Sequence, residues 1–236
     1  MNSLIILAGG LGKRANQKNP KQFFLLDKEK QVRIMYLQYP YLKNKKHEFD
    51  EIIIVVPQDW VSIVQKEIKE ICPISKVIAG GETRTKSSYL GLSKCSDKCK
   101  NVLIHDAARP FASEKIYQSC INYLNEYDAV IPIIEARDTP LYIEQSEKKE
   151  EAFFLNRESL KSIQTPQAFK YRCIKTAYDN KTQNKTDDLQ ILLEYKPSSK
   201  IRFINGEDAN FKITTQQDIQ IIKALYDNDE YKVLYI

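Results

Sequence analysis

Residues 3–15 read Ser3-Leu4-Ile5-Ile6-Leu7-Ala8-Gly9-Gly10-Leu11-Gly12-Lys13-Arg14-Ala15: an apolar run, a glycine loop, then two cations. The run Leu4–Ala8 is short and apolar on both faces, the pattern of a strand covered on both sides in a parallel sheet. Similar runs recur at Ile52–Pro57, Lys76–Ala79, Val102–His105 and Ala129–Ile134, with amphipathic stretches Trp60–Cys72, Thr85–Ser93 and Ser113–Glu126 between them. This alternation predicts an α/β fold with a Rossmann-like, doubly wound, mostly parallel sheet. Asp138–Phe154 breaks the rhythm. Its centre, Glu147–Glu151, is charged and its flanks, Thr139–Ile143 and Phe153–Leu155, are apolar, so 138–156 is expected to form a β-hairpin arm leaving a single domain, 1–236. Asn180–Lys185 reads as a polar loop ahead of a helix starting near Asp187. A final helix around Gln216–Tyr226 is expected to pack back on the sheet.

Composition narrows the function classes. With 236 residues, 42% hydrophobic, the chain can build a sizeable core, which excludes intrinsic disorder. A net charge of +5, from 36 Lys+Arg against 31 Asp+Glu, is too small and dispersed to argue for nucleic acid. It suits an anionic small molecule, or simply a lysine-rich surface. No apolar run approaches the roughly 20 residues of a membrane span, and Met1–Gly10 reads as a core strand rather than a signal peptide. The five cysteines are an odd number without framework spacing. Cys95 and Cys99 lie close together, but no neighbouring His or second Cys pair completes a zinc site, so reduced thiols of a cytoplasmic protein are expected.

Five of the seven glycines fall in two clusters, Gly9, Gly10, Gly12 and Gly80, Gly81. A glycine-poor chain places them where backbone turns tightly or approaches a ligand. The first cluster follows the first strand, where backbone N–H groups and a helix N-terminus can cradle phosphate. A P-loop fails, because Leu7 and Arg14 stand where Gly and Ser/Thr are needed. A dinucleotide fingerprint is nearly met by Gly10-x-Gly12-x-x-Ala15, which keeps an NAD(P)-binding oxidoreductase as an alternative, yet no strand ending in an acidic residue follows about 20 residues on. Lys13, Arg14 and Pro20-Lys21-Gln22 suit a nucleoside triphosphate better. At the end of another strand, His105-Asp106-Ala107-Ala108-Arg109-Pro110 offers a carboxylate able to hold Mg²⁺ on a triphosphate. Alternatively Asp106 caps a helix and pairs with Arg109, and His105 is a satisfied core residue. Thr83-Arg84-Thr85-Lys86-Ser87-Ser88 reads as a helix N-terminus with hydroxyl caps.

Together these segments resemble one family, the cytidylyltransferases that activate polyol phosphates with CTP. The glycine loop with Arg14, Pro20-Lys21-Gln22-Phe23, the His105–Pro110 segment and Gln164-Thr165-Pro166-Gln167 carry the resemblance, in the same order over nearly the whole chain. It implies a nucleotidyltransferase-type Rossmann-like fold, Mg²⁺, a homodimer through exchanged β-arms, and attack of the substrate's phosphate oxygen on the α-phosphorus of CTP. By match to the family's motifs, Arg14, Lys21 and Lys212 would stabilise the five-coordinate phosphorus and departing pyrophosphate. Ala8, Gly9, Gly10 and Gly12 would hold the nucleotide, Gly81 and Ser87 would read cytosine, and Asp106 with Ala107 would hold ribose and metal. Arg109 would order that loop on the substrate side, while Thr139, Arg157 from the partner's arm and Thr186 would take the polyol phosphate. His105–Pro110, the Arg14-to-Pro20 spacing and Thr186-Asp187-Asp188 favour the branch acting on methylerythritol phosphate in isoprenoid synthesis. Asp59-Trp60-Val61 and Lys212-Ile213-Thr214-Thr215 look more like the branch making CDP-ribitol from ribitol 5-phosphate, which stays the alternative. A non-catalytic paralogue is disfavoured by the presence of Arg14, Lys21, Asp106 and Lys212.

Overall fold

The computed structural model describes residues 1–9, 20–29, 32–37, 49–146, 149–180, 185–228 and 230. Strand β1 (Asn2–Leu7) is followed by a small antiparallel hairpin, β2 (Leu25–Asp27) and β3 (Val32–Arg33), and then by β4 (Glu51–Val56), β5 (Ser75–Ala79) and β6 (Asn101–Asp106). β1 lies between β4 and β6, parallel to both, with Ser3 opposite Glu51 and Leu7 opposite Asp106; β5 continues the parallel set beyond β4. On the other side, β7 (Ala129–Glu135) is joined through the antiparallel β11 (Gln167–Lys170) to β6, and also pairs with β10 (Lys161–Ile163) and, in parallel, with β12 (Ile201–Asn205). The mostly parallel sheet with flanking helices is the expected class.

Each central strand divides its side chains between two cores because successive residues point to opposite faces. Leu4, Ile6, Ile52, Ile54 and Leu103 enter one cluster, covered by α1 (Val61–Ile71) and α3 (Glu114–Tyr123) through Val64, Ile68, Ile116, Tyr117 and Cys120. Ile5, Leu7, Ile53, Val55, Val102 and Ile104 enter the other, covered by α2 (Arg84–Leu92), α4 (Tyr171–Asn180) and α5 (Asp188–Tyr195). Hydroxyl and carboxylate caps start these helices: Thr83 for α2, Ser113 for α3 and Asp187 for α5 each accept a first-turn N–H. The structure describes all five thiols as free, and among the described residues no helix is long and apolar enough to cross a membrane.

Two segments lie apart from the sheet. β8 (Leu141–Ser146) and β9 (Lys149–Phe154) pair only with each other, in the register Leu141 opposite Phe154 and Tyr142 opposite Phe153. This hairpin occupies the stretch expected as an arm. The last helix, α6 (Gln216–Asp227), corrects an expectation: Ile219 and Ile222 bury against Leu26, Ile34, Leu37, Phe111 and Ile213, a third core beside the β2–β3 hairpin, rather than against the sheet. The apolar spacing showed a buried face but not which surface receives it.

α2 runs unusually close to β1. A Cβ on Gly91 would stand 2.7 Å from Ile5 Cγ2 and 3.3 Å from Val55 Cγ2, so glycine is what allows the contact. Gly91→Val should therefore overpack this seam, costing about 2 kcal/mol and lowering Tm by roughly 4–8 °C in a thermal melt followed by circular dichroism.

Candidate nucleotide site

The described glycines of the two clusters meet at one serine. Gly9 follows β1, and Gly80 and Gly81 follow β5, both at the carboxyl ends of parallel strands. A Cβ on Gly9 would lie 3.1 Å from Ser87 Oγ, one on Gly80 would lie 2.8 Å from the same atom, and the Gly81 N–H donates to it at 3.1 Å. Ser87 sits in the first turn of α2, so its hydroxyl becomes the floor between the two loops. Ala8 is locked from both sides: its N–H donates to Val55 O at 2.7 Å, and its carbonyl accepts from Gln22 Nε2 at 2.6 Å. Gly10, Gly12 and Arg14 lie outside the described residues.

Asp106 ends β6 beside these loops and carries the charge of the site. Its Oδ1 accepts from Arg84 Nε at 3.1 Å and its Oδ2 from Lys212 Nζ at 2.6 Å. Burial alone would raise this carboxyl, but Arg84, Lys212 and Arg109 together hold it well below the usual carboxylate range. Arg84 also pairs with the fully buried Asp188 at 2.7 Å, and the Tyr178 hydroxyl donates to Asp188. Asp106 therefore does not pair with the Arg109 side chain, which instead donates to the carbonyls of Asn210, at 2.7 Å, and Ile163, at 3.4 Å. Arg109 ties the 106–110 loop to the segment ahead of Lys212, helped by the Ile213 N–H on Ala108 O at 2.8 Å. Ala107 donates its N–H to Leu7 O at 2.9 Å, keeping the loop in line with the sheet.

Behind this loop His105 is buried and fully partnered. Nε2 donates to Arg109 O at 2.9 Å, because a carbonyl can only accept. Nδ1 is then the acceptor for the Thr165 hydroxyl at 3.1 Å, whose oxygen accepts the Asp106 N–H at 3.0 Å. Gln164 and Asn210 knit the same wall, Gln164 Nε2 reaching Glu207 O at 2.8 Å and Asn210 Nδ2 reaching Thr165 O at 2.9 Å. His105 is thus a core brace of the Asp106 loop.

Lys21 opens the short 3₁₀ turn Lys21–Phe23, and a strut fixes that turn from below. The Phe23 ring stacks on Trp60 with centroids 4.1 Å apart and planes 4° from parallel. The Arg33 guanidinium lies 5.1 Å from the Trp60 ring, donates to Phe23 O at 3.0 Å, and grips Glu67 through Nη2 at 2.7 Å and Nε at 2.9 Å. Trp60, which on the sequence looked like a substrate-branch signature, has a local packing role.

The remaining substrate-side residues lie elsewhere. Thr139 and Arg157 are exposed at the base of the hairpin, with Arg157 Nη1 on Arg137 O at 3.5 Å. Arg137 in turn pairs with Asp208 at 2.5 Å, close in sequence to Asn210 and Lys212. Thr186 is exposed just ahead of α5. Arg84, Asp188, Gln22 and Thr165 take part in the site without having been assigned a role from the sequence. For Arg84 a signal existed: a cation in the first turn of a helix opposes the macrodipole and needs a compensating partner.

A family model described as 2-C-methyl-D-erythritol 4-phosphate cytidylyltransferase matches residues 3–228. A protein of that name from Clostridium botulinum is 38% identical over 237 residues, covering 95% of this chain and 98% of the relative. Another from Lachnospira eligens is 34% identical, covering 94% and 97%. Among solved structures, the 4-diphosphocytidyl-2C-methyl-D-erythritol synthase of Anaerococcus prevotii superposes with a TM-score of 0.79 at 31% identity, covering 96% of this chain and 98% of that one.

Burial pushes the His105 imidazole down to about 4 from an ordinary value of 6.5. Between those values the unfolded chain binds a proton that the folded chain refuses, so stability rises with pH across this window. The linked change is about 3 kcal/mol. Thermal melts from pH 4 to 7 should show this loss on acidification, and it should shrink in His105→Gln.

Proposed function

We propose, since this chain belongs to the 2-C-methyl-D-erythritol 4-phosphate cytidylyltransferase family, that it transfers the cytidylyl group of CTP to 2-C-methyl-D-erythritol 4-phosphate. A phosphate oxygen of the substrate bonds to the α-phosphorus of CTP, the bond from that phosphorus to the bridging β-phosphate oxygen breaks, and pyrophosphate leaves with its electron pair. The observation that carries the reading is the convergence of Gly9, Gly80, Gly81 and Ser87 with Asp106, Arg84 and Lys212 at the carboxyl ends of β1, β5 and β6.

In such a transfer the protein's contribution is positioning and charge neutralisation. Ala8, locked into the sheet by Val55 and Gln22, sets the path of the loop; Gly9 brings its backbone against the nucleotide, and Gly81 with Ser87 offers hydrogen-bonding atoms to cytosine. Lys21 and Lys212 bring positive charge to the phosphates, joined by Arg14. Lys212 is 40% exposed, so its ammonium can exchange Asp106 for a phosphate oxygen without a change of fold. The donor set also fits a hard divalent cation of the Mg²⁺ type, since Asp106 is held ionised and phosphate oxygens can complete the shell. Bound there, such an ion neutralises triphosphate charge and orients the nucleotide.

The hairpin supports a homodimer. Tyr142 and Phe153 form a cross-strand pair that is about half exposed, and Phe154, opposite Leu141, is 80% exposed. A two-stranded hairpin with exposed apolar side chains is marginal alone and calls for a covering surface. A second copy would supply it and carry Arg157 to its partner's polyol phosphate, where a guanidinium fork grips phosphate.

Pyrophosphate release measured with CTP and Mg²⁺ should show a clear kcat/KM preference for 2-C-methyl-D-erythritol 4-phosphate; preference for ribitol 5-phosphate would overturn the substrate assignment. Lys21→Ala should lower kcat by about 100- to 1000-fold while the circular dichroism spectrum is unchanged, the loss expected when a charge-stabilising donor is removed. Arg157→Ala should raise KM for the polyol phosphate more than KM for CTP; an equal rise in both would remove Arg157 from the polyol side.

A further inference from the structure

At the opposite end of the sheet, where the parallel strands begin, three side chains gather that the reaction does not use. Glu51 is the first residue of β4, and Cys95 and Cys99 lie in the connection from α2 to β6. The carboxylate oxygen and the two sulfurs offered by these residues all lie within 4.8 Å of one another. We propose that Glu51, Cys95 and Cys99 form a binding site for a thiophilic divalent cation of the zinc class, separate from the nucleotide site.

The donor chemistry selects the ion. Two thiolates and one carboxylate suit a borderline-soft cation and not magnesium, which takes oxygen ligands alone. Zinc bonds of about 2.3 Å to sulfur and about 2.1 Å to oxygen put tetrahedral ligands roughly 3.6 Å apart, within the spacing these three atoms keep. The surroundings are already built to hold the ligands in place. Ser3 Oγ donates to Glu51 Oε1 at 2.7 Å and lies 3.0 Å from Cys99 Sγ, so one hydroxyl fixes two of the three ligands. The Ser96 N–H donates to Glu51 Oε1 at 2.8 Å, and Lys76 Nζ lies 3.0 Å from Oε2. Two thiolates and a carboxylate around a doubly charged ion leave one net negative charge, which the Lys76 ammonium faces. Glu51 and Cys99 are buried, and Cys95 is the least buried of the three. Sequence spacing hid the site because its third ligand comes from another strand, rather than from a nearby His or second Cys pair.

Cadmium is the spectroscopic probe, because its bond to thiolate gives an ultraviolet charge-transfer band that oxygen ligands do not. Metal-free, fully reduced protein titrated with Cd²⁺ should develop this band and saturate at one equivalent. Zn²⁺ should displace it, and millimolar Mg²⁺ should not. Cys95→Ser and Cys99→Ser should each abolish the band, Glu51→Gln should weaken binding at least tenfold, and Cys173→Ser should leave it intact. Absence of the band in the unmodified protein, or its persistence in both Cys95→Ser and Cys99→Ser, overturns the proposal. Should those variants fail to fold, alkylation of the unmodified protein mapped by mass spectrometry decides. Zn²⁺ should slow labelling of Cys95 and Cys99 at least tenfold but not that of Cys173, and equal rates with and without zinc overturn the site.

Discussion

Asp106 is a carboxylate kept ionised with little water around it, and a buried charge is tolerated only when matched by opposite charge and hydrogen bonds. Much of the surrounding architecture meets that requirement. Arg84 reaches it from the start of α2 and is itself balanced by Asp188 at the start of α5, so two helices on one face of the sheet are bound to the end of β6. Lys212 arrives from the far end of the chain, on a segment held by Arg109, Asn210 and Gln164. Removing one member would leave another charge without its partner.

Lys21 and Lys212, the two lysines of the proposed mechanism, share a support. Lys21 precedes the β2–β3 hairpin, and Lys212 precedes Ile213; Leu26 from that hairpin and Ile213 bury in the same small core under α6. A displacement of α6 would therefore be felt at both cations. The stack of Phe23 on Trp60, clamped by Arg33 and Glu67, adds a second anchor to the Lys21 side. Two groups far apart in sequence are thus held to one spacing by packing, the kind of preorganisation that charge stabilisation of a transition state demands.

Much of the fold was legible because strands buried on both faces leave uninterrupted apolar runs, and β1, β4, β6 and β7 each carry one. The described cluster glycines were legible for a related reason: a chain with so few places them at close approaches, and Ser87 is what Gly9, Gly80 and Gly81 approach. Pairings between distant segments were not. Periodicity in α6 showed a buried face without naming the hairpin that covers it. Asp106 looked ready to pair with Arg109, its neighbour in sequence, while its observed cations come from positions 84 and 212. Nothing around Trp60 in the sequence marked Phe23 as the ring that lies flat against it. Each miss has the same origin: a side chain's partner is set by topology, which local sequence does not contain.

The stack beneath Lys21 has an optical side. Trp60 is the chain's single tryptophan, so all indole emission arises from one ring, pressed against Phe23 and beneath a guanidinium. The protein carries its own fluorophore against Phe23, which is two residues along from Lys21. A change at the Lys21–Phe23 turn can be followed in real time by stopped-flow emission, with no label and no second indole to compete.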